Sequence, residues 1–381
     1  LARDAVKNLS GRRRPKNFAG QHGQTNETCG LGFRKQEPKS ETHWSGNQNL
    51  FTEGVMRKFG VLSAAVFVGV VLVFMATGIA DERYEFSGVT RIKVDGVSGD
   101  ITILPADSTT GVVELRADVR PPRSFRPEVE QDGKTLYIEE RWGGGSSSGR
   151  VEWTIYLPRD EKPPKIKVST ASGELTCRGI AARIRFNTAS GDIELSNVTL
   201  GEGSSFSTAS GDVIVEDMAV EEGSEFSTAS GDVILKNVTI GEDCEFSTAS
   251  GDVKCRDCAG YFELSSASGD VVARDCEISG RGSFSSASGD VRLYLDKLPK
   301  HDLKATSASG NVLLDVDDFG DNFTLVMVKR EDRGRISCPF DFTHEDVFED
   351  YHTYEEKIVE RGSGQPEIYL RTASGKVVVK D

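Results

Sequence analysis

The sequence predicts an all-β chain wound as a parallel β-helix, a β-solenoid of about 20-residue rungs with β-rich caps, preceded by an N-terminal apolar export helix. Three observations predict it. A Thr-Ala-Ser-Gly-Asp motif recurs at a near-constant interval, columns of apolar residues run in register with it, and a short basic stretch followed by an apolar run stands ahead of the array.

Residues 1–55 differ from the rest. They begin with Leu, lack apolar periodicity and carry nine Lys/Arg against five Asp/Glu. They read as a non-native or disordered leader, with translation starting at Met56. Residues 56–80 form the second element. Met56-Arg57-Lys58 is a positive flank, 59–80 is uncharged and apolar, and Gly78-Ile79-Ala80 offers the small residues that signal peptidases accept. The same 22-residue run is long enough to span a bilayer uncleaved and tether the protein through 59–80, with its positive flank in the cytoplasm. Either way residues 81–381 lie outside the cytoplasm, in the periplasm, at the cell surface or secreted.

Residues 84–165 read as an N-terminal β cap, because a solenoid must cover its terminal sheet edges. Strand-like runs fall at 112–119, 135–140 and 151–157, and the Gly/Ser-rich stretch 143–149 reads as a hairpin loop between the last two.

Residues 166–316 hold the solenoid. Ala-Ser-Gly begins at Ala171, Ala189, Ala209, Ala229, Ala249, Ala267, Ala287 and Ala308, at intervals of 18 to 21 residues. Counted from the acidic residue after each Gly, a bulky column sits six before (Phe186, Phe206, Phe226, Phe246, Leu264, Phe284). Others sit one after (Ile193, Val213, Val233, Val253), three after (Leu195, Val215, Leu235, Cys255) and six after (Val198, Met218, Val238, Cys258, Cys276). Inward positions two apart mean strands. One rung cannot bury its own apolar face, whereas stacked rungs bury a continuous one. The Ser-Gly pair makes a corner, with Gly supplying the backbone freedom. Residues 317–381 read as an acidic insertion followed by a C-terminal cap whose Thr372-Ala373-Ser374-Gly375 supplies a final rung.

With these pieces in place, the chain resembles the bacterial "putative adhesin" β-strand-repeat family, DUF4097. The resemblance rests on Ile92-Lys93-Val94 and Val97-Ser98-Gly99-Asp100-Ile101, on the Thr-Ala-Ser-Gly-Asp array, and on Gly362-Ser363-Gly364-Gln365-Pro366-Glu367-Ile368 leading into the last repeat. It implies a β-helical envelope protein and brings no catalytic residues. The cysteines in core columns and the acidic insertion depart from the pattern.

Charge bounds the partners. The whole chain has a formal charge of −14, and residues 81–381, with 35 basic and 55 acidic residues, carry −20. Such a body repels nucleic acid and anionic membranes and tolerates cations or basic partners.

Candidate sites follow from the columns. The ladder Asp192, Asp212, Asp232, Asp252, Asp270 and Asp290 stacks carboxylates about 5 Å apart. Bonding to N–H groups of its own turn is the expected compensation, and Ca²⁺ held by Asp212, Asp232 and Asp252 is the alternative. Asp315, Asp317 and Asp321 form a second, incomplete Ca²⁺ pattern, with Phe319 where a ligand is needed. No other cofactor or metal is expected. Cys258 and Cys276 share a column on adjacent rungs and form the candidate disulfide, against a reading in which the cysteines of Cys255-Arg256-Asp257-Cys258 are buried small hydrophobes. Ile214, Ile234 and Val272 form a candidate docking stripe, unless the 317–360 insertion or a cap folds over it.

Catalysis finds little footing. His344-Glu345 lacks the second His of a zincin, and no Gly-x-Ser-x-Gly elbow occurs. The expected function is a non-catalytic exported surface or envelope module that binds or scaffolds a glycan, envelope or protein ligand. A polysaccharide-active β-helix enzyme and a membrane-tethered accessory domain in envelope sensing are the alternatives.

Overall fold

The computed structural model describes residues 70–73, 79–159 and 162–381, all within one compact unit, Ala65–Asp381. The expected leader 1–55 and most of the apolar segment 59–80 lie outside the described residues. Where that segment is described it is strand rather than helix: Val70–Val73 pairs antiparallel with Ile79–Phe86, Val70 opposite Tyr84. Among the described residues no helix is long and apolar enough to cross a membrane.

The body is a parallel β-solenoid. One face of the array stacks Lys165–Ser169, Ala181–Thr188, Ser205–Thr208, Glu225–Thr228, Glu245–Thr248, Ala259–Ser266, Glu277–Ser286 and Leu303–Ser307. A second face stacks Leu175–Arg178, Ile193–Ser196, Val213–Val220, Val233–Ile240, Val253–Arg256, Val271–Arg274, Val291–Leu295 and Val312–Val316. Shorter pairings such as Ala181 with Thr199 and Thr239 with Ala259 close the third side. The register is the one the columns require. Phe186, Phe206, Phe226 and Phe246 align level by level and are fully buried, and the rings of Phe226 and Phe246 stack at 4.8 Å with 9° between planes. Burying such a ring is worth about 1.5–3 kcal/mol, and stacking adds to it.

One corner works differently from expectation, and another carries a backbone signature of its own. The Ser-Gly corner needs Gly for close approach, not for its φ. A Cβ on Gly231 would sit 2.0 Å from the carbonyl oxygen of Gly211 one level away, and the same near-2 Å clash recurs at Gly191, Gly211, Gly251, Gly269 and Gly289. The left-handed corner lies five residues after the Asp, at Asn197, Asp217, Asn237, Asp257 and Asp275, with φ between 53° and 55°. Asn and Asp are the non-glycine residues that best tolerate this conformation.

Both ends are interleaved. Arg91–Asp95 and Asp100–Pro105 stack directly on the first array rung, Ile92 opposite Ile166 and Ile101 opposite Leu175. Thr135–Trp142 and Ser148–Leu157 then stack outside them. The hairpin in this cap joins Phe125–Asp132 to Thr135–Trp142 through Gly133. The Gly/Ser stretch 143–149 is therefore not a hairpin loop, because the strands on either side of it belong to different faces. At the other end Glu367–Thr372 and Lys376–Lys380 stack on the array, while Phe323–Arg330 and Arg335–Ser337, earlier in sequence, form the level beyond. The expected final rung is thus the penultimate level. His352–Arg361 and His344–Asp350 continue the first face antiparallel and cover its edge.

Candidate functional site

On the first face, outward positions alternate with the buried columns. At its N-terminal end these positions are basic on three successive levels: Arg91 and Lys93, Lys165 and Lys167, Arg183 and Arg185. Five of the six are exposed and Arg183 is half-buried. Lys93 lies 5.0 Å from the Tyr137 ring, and Arg183 donates to the Gly203 carbonyl at 3.4 Å. Among the described residues none of the six forms an ion pair with a carboxylate. Strand spacing puts neighbouring cations about 4.8 Å apart across strands and about 7 Å apart along them. Lys and Arg two apart in each strand were the available sequence signal. Arg91 and Lys93 join the array only because the cap contributes a rung, so the patch was not read from the columns.

The same face continues through Ser205, Ser207, Ser227 and Ser247 to a groove of about 1350 Å³ at the C-terminal end. Ser265, Ser283, Ser285 and Thr306 floor it, and Arg281, Lys304, Arg371, Tyr354 and Tyr369 flank it. Arg371 is held there by Asp350 at 3.2 Å and by the face of Tyr354 at 4.4 Å. The serines and threonines on these outward positions offer hydroxyls to a hydrophilic ligand and bury little apolar surface.

The Asp ladder lies on another edge, and its carboxylates are already engaged. Each Oδ1 accepts the backbone N–H of the next level's acidic residue, Asp192 from Asp212, Asp212 from Asp232 and Asp232 from Asp252, all at 2.8 Å. The bond therefore runs between rungs, not within the Asp residue's own turn as expected. The turn N–H is taken by the buried hydroxyl column, as Gly231 donates to Thr228 Oγ1 at 3.1 Å while Thr228 donates to the Gly211 carbonyl at 2.8 Å. Lys254 bridges Asp232 and Asp252 at 2.9 and 3.0 Å, and Arg292 bridges Asp270 and Asp290 at 2.6 and 2.7 Å. Burial raises the Asp252 pKa, but the Asp270 N–H and the Lys254 ammonium outweigh it and hold the carboxyl below its usual value.

Asp315 pairs with Lys380 at 3.4 Å, Asp317 and Asp321 are exposed, and Phe319 packs inward on Phe323 and Phe340. Among the described residues no three carboxylates converge at either Ca²⁺ candidate.

Ile214, Ile234 and Val272 are half-buried rather than exposed. Ile214 pairs with Ile234, but Lys254 separates Ile234 from Val272, so the stripe is broken. The 317–360 insertion does not cover it. Its strands extend the faces at the C-terminal end.

The cysteines converge further than the columns suggested. Cys258 and Cys276 carry free thiols, and Cys255 joins them, with the three Sγ atoms within 4.8 Å of one another and all three residues buried. Cys255 Sγ and Cys276 Sγ are 3.7 Å apart. Columns three and six after the Asp flank the left-handed corner at Asp257 and Asp275, which turns them toward each other. Burial drives the Cys255 thiol well above the usual thiol range.

The chain is similar to the solved structure named "putative adhesin" from Parabacteroides distasonis ATCC 8503, at 14% identity over 79% of this chain and 96% of that one, with a TM-score of 0.40. It is similar to a second so named from Parabacteroides merdae ATCC 43184, at 14% identity over 80% and 98%, TM-score 0.39. It is also similar to a "putative lipid binding protein" from Parabacteroides distasonis ATCC 8503, at 13% identity over 80% and 98%, TM-score 0.36. No curated protein matches the chain. The profile of the Toastrack DUF4097 family matches residues 89–330, from just before Arg91–Asp95 to the end of Phe323–Arg330, and the chain belongs to that family.

Proposed function

We propose that this protein is an exported, non-catalytic, adhesin-like binding module whose first face holds an anionic surface glycan. The basic ladder carries the reading: six cations on three adjacent levels, without carboxylate partners among the described residues, in a body whose net charge is −20. Keeping like charges this close has an electrostatic cost that an anionic ligand removes. A polymer with regularly spaced carboxylates or sulfates matches a ladder with regularly spaced cations, and the Ser/Thr surface beyond it hydrogen-bonds neutral sugar hydroxyls. The rigid stack pre-organises both parts, so little ordering entropy opposes binding. The basic flank and apolar run of residues 56–80 support export, and such polymers occur outside the cytoplasm.

Retention of the full chain on an immobilised polyuronate, compared with neutral dextran, tests the proposal. Retention on the polyuronate alone, lost as salt rises, is expected. The combined variant Lys165→Ser, Lys167→Ser and Arg185→Ser removes three of the six cations, extends to Lys167 and Arg185 the serine that Ser205 already places in their column, and should elute with the dextran control. Unchanged retention of that variant, or equal retention on duplex DNA, would overturn the glycan reading.

A further inference from the structure

We propose that Cys255, Cys258 and Cys276 form a binding site for a single thiophilic closed-shell metal ion, of the Cu⁺ or Zn²⁺ class. The site is built from two adjacent levels. Cys255 and Cys258 flank one left-handed corner, and Cys276 flanks the same corner one level on. Their Sγ atoms lie within 4.8 Å of one another, with Cys255 and Cys276 at 3.7 Å. Three sulfurs on one ion at about 2.3 Å stand about 4 Å apart, so the ion requires only small side-chain adjustments.

The surroundings favour an ion over a plain apolar contact. Most other levels fill these two columns with Leu, Ile, Val or Met, and among the described residues three thiols meet only here. Ala273, the residue in register with Cys255 on the next level, is the smallest in its column, where neighbouring levels carry Leu235 and Leu293. It sets only a methyl group in register with Cys255. Access comes from outside. Cys258 and Cys276 line a cavity of about 670 Å³ whose other charged or titratable lining residues are Asp257, Asp275, Glu277 and Asp296 against Lys297, Lys300 and His301. The acidic excess draws cations toward the thiols.

In the free protein the Cys258 and Cys276 thiols donate to the carbonyls of Arg256 and Arg274 at 3.1 and 3.2 Å. Binding a divalent ion releases three protons to water and leaves a complex of charge −1, while a monovalent ion leaves −2. No electron is transferred. Soft thiolate donors select this class of ion over Ca²⁺ or Mg²⁺. An ion bridging two levels also ties them together without closing a disulfide.

The test uses the reduced full chain, titrated with Zn²⁺ and, under anaerobic conditions with a chromogenic Cu⁺ chelator as competitor, with Cu⁺. One equivalent of at least one ion should bind, three thiols should become protected from a thiol reagent, and the melting temperature should rise. Cys258→Ser should lower the affinity at least about 100-fold. Cys177→Val, in the same column four levels away, should not change it. The variant Cys255→Val, Cys258→Val and Cys276→Val carries the residue that Val198, Val215 and Val238 already place in these columns, and should fold without binding. Binding of neither ion overturns the site. So does undiminished binding by Cys258→Ser, or an intact mass two hydrogens light that maps to a disulfide among these three residues in the protein as isolated.

Discussion

Asp232 Oδ1 accepts the backbone N–H of Asp252 at 2.8 Å, so each carboxylate of the ladder serves the level that follows it. The like charges are offset by these N–H dipoles and by Lys254 and Arg292, each placed between two carboxylates. Asp232→Ala removes the acceptor for Asp252 and one partner of Lys254, and a loss of about 1–2 kcal/mol is expected in denaturant unfolding. Asp232→Asn keeps an acceptor oxygen and should cost less than half as much.

The ladder also sets an acid limit. The Asp252 and Asp290 carboxyls sit below their ordinary range because N–H groups and cations outweigh burial. A depressed folded pKa contributes stability that is full above the unfolded value, near 3.9, and is lost as pH falls from there through the folded value. Lys254, raised by Asp232, contributes below its unfolded value near 10.4 and loses that contribution at higher pH. Melting temperature should therefore be flat near neutrality and fall below about pH 4, and Asp252→Asn should flatten the acid limb.

Calcium should do little. Every ladder Oδ1 from Asp192 to Asp290 is committed to an N–H, and the 315–321 segment turns Phe319 inward. Millimolar Ca²⁺ should leave the melting temperature of the full chain unchanged. A rise of several degrees, abolished by Asp232→Asn, would show that Ca²⁺ displaces Lys254 from the ladder.

The Ser-Gly corner admits no side chain. Gly231→Ala would put Cβ 2.0 Å from the Gly211 oxygen, and neither backbone can retreat without breaking the stack. A loss above about 3 kcal/mol is expected, if the protein folds at all. Gly223, at φ +67° with open space around it, should lose only about 1 kcal/mol on mutation to Ala. The ratio of the two losses separates close approach from backbone freedom.

The array was legible because its chemistry repeats. Phe206, Phe226 and Phe246 fix the register, since a slip of one residue would turn the whole column outward. What repeats only once could not be read the same way. The order of levels at both ends depends on which strand edge wins the pairing: Lys376–Lys380 inserts ahead of Arg335–Ser337 although it follows in sequence. The basic ladder spans the cap and the array, so it exists only after Arg91 and Lys93 have stacked on Lys165 and Lys167. The thiol cluster joins two columns that a linear alignment keeps apart, because the left-handed corner at Asp257 and Asp275 turns them toward each other.

Glu140 was missed for the same reason, and it carries the last prediction. It is a buried acid in the N-terminal cap. One oxygen accepts the backbone N–H groups of Val97 and Ser98 at 2.8 and 3.1 Å and the Trp142 indole at 3.2 Å, and the other accepts the Trp153 indole N–H at 2.8 Å. Four donors converge on one carboxylate, tying the outer rung to the degenerate Ser98-Gly99-Asp100 corner and closing the apolar column over Trp153. Glu140→Gln replaces one acceptor oxygen with an NH₂ that must face N–H donors, so at least one buried donor loses its partner. A loss of about 2–4 kcal/mol is expected. Because the cap shields the first edge of the array, amide exchange should accelerate first in 91–105 and 135–157, while levels around Phe226 and Phe246 keep their protection. Uniform acceleration along the solenoid would instead mean that the cap and the array unfold as one cooperative unit.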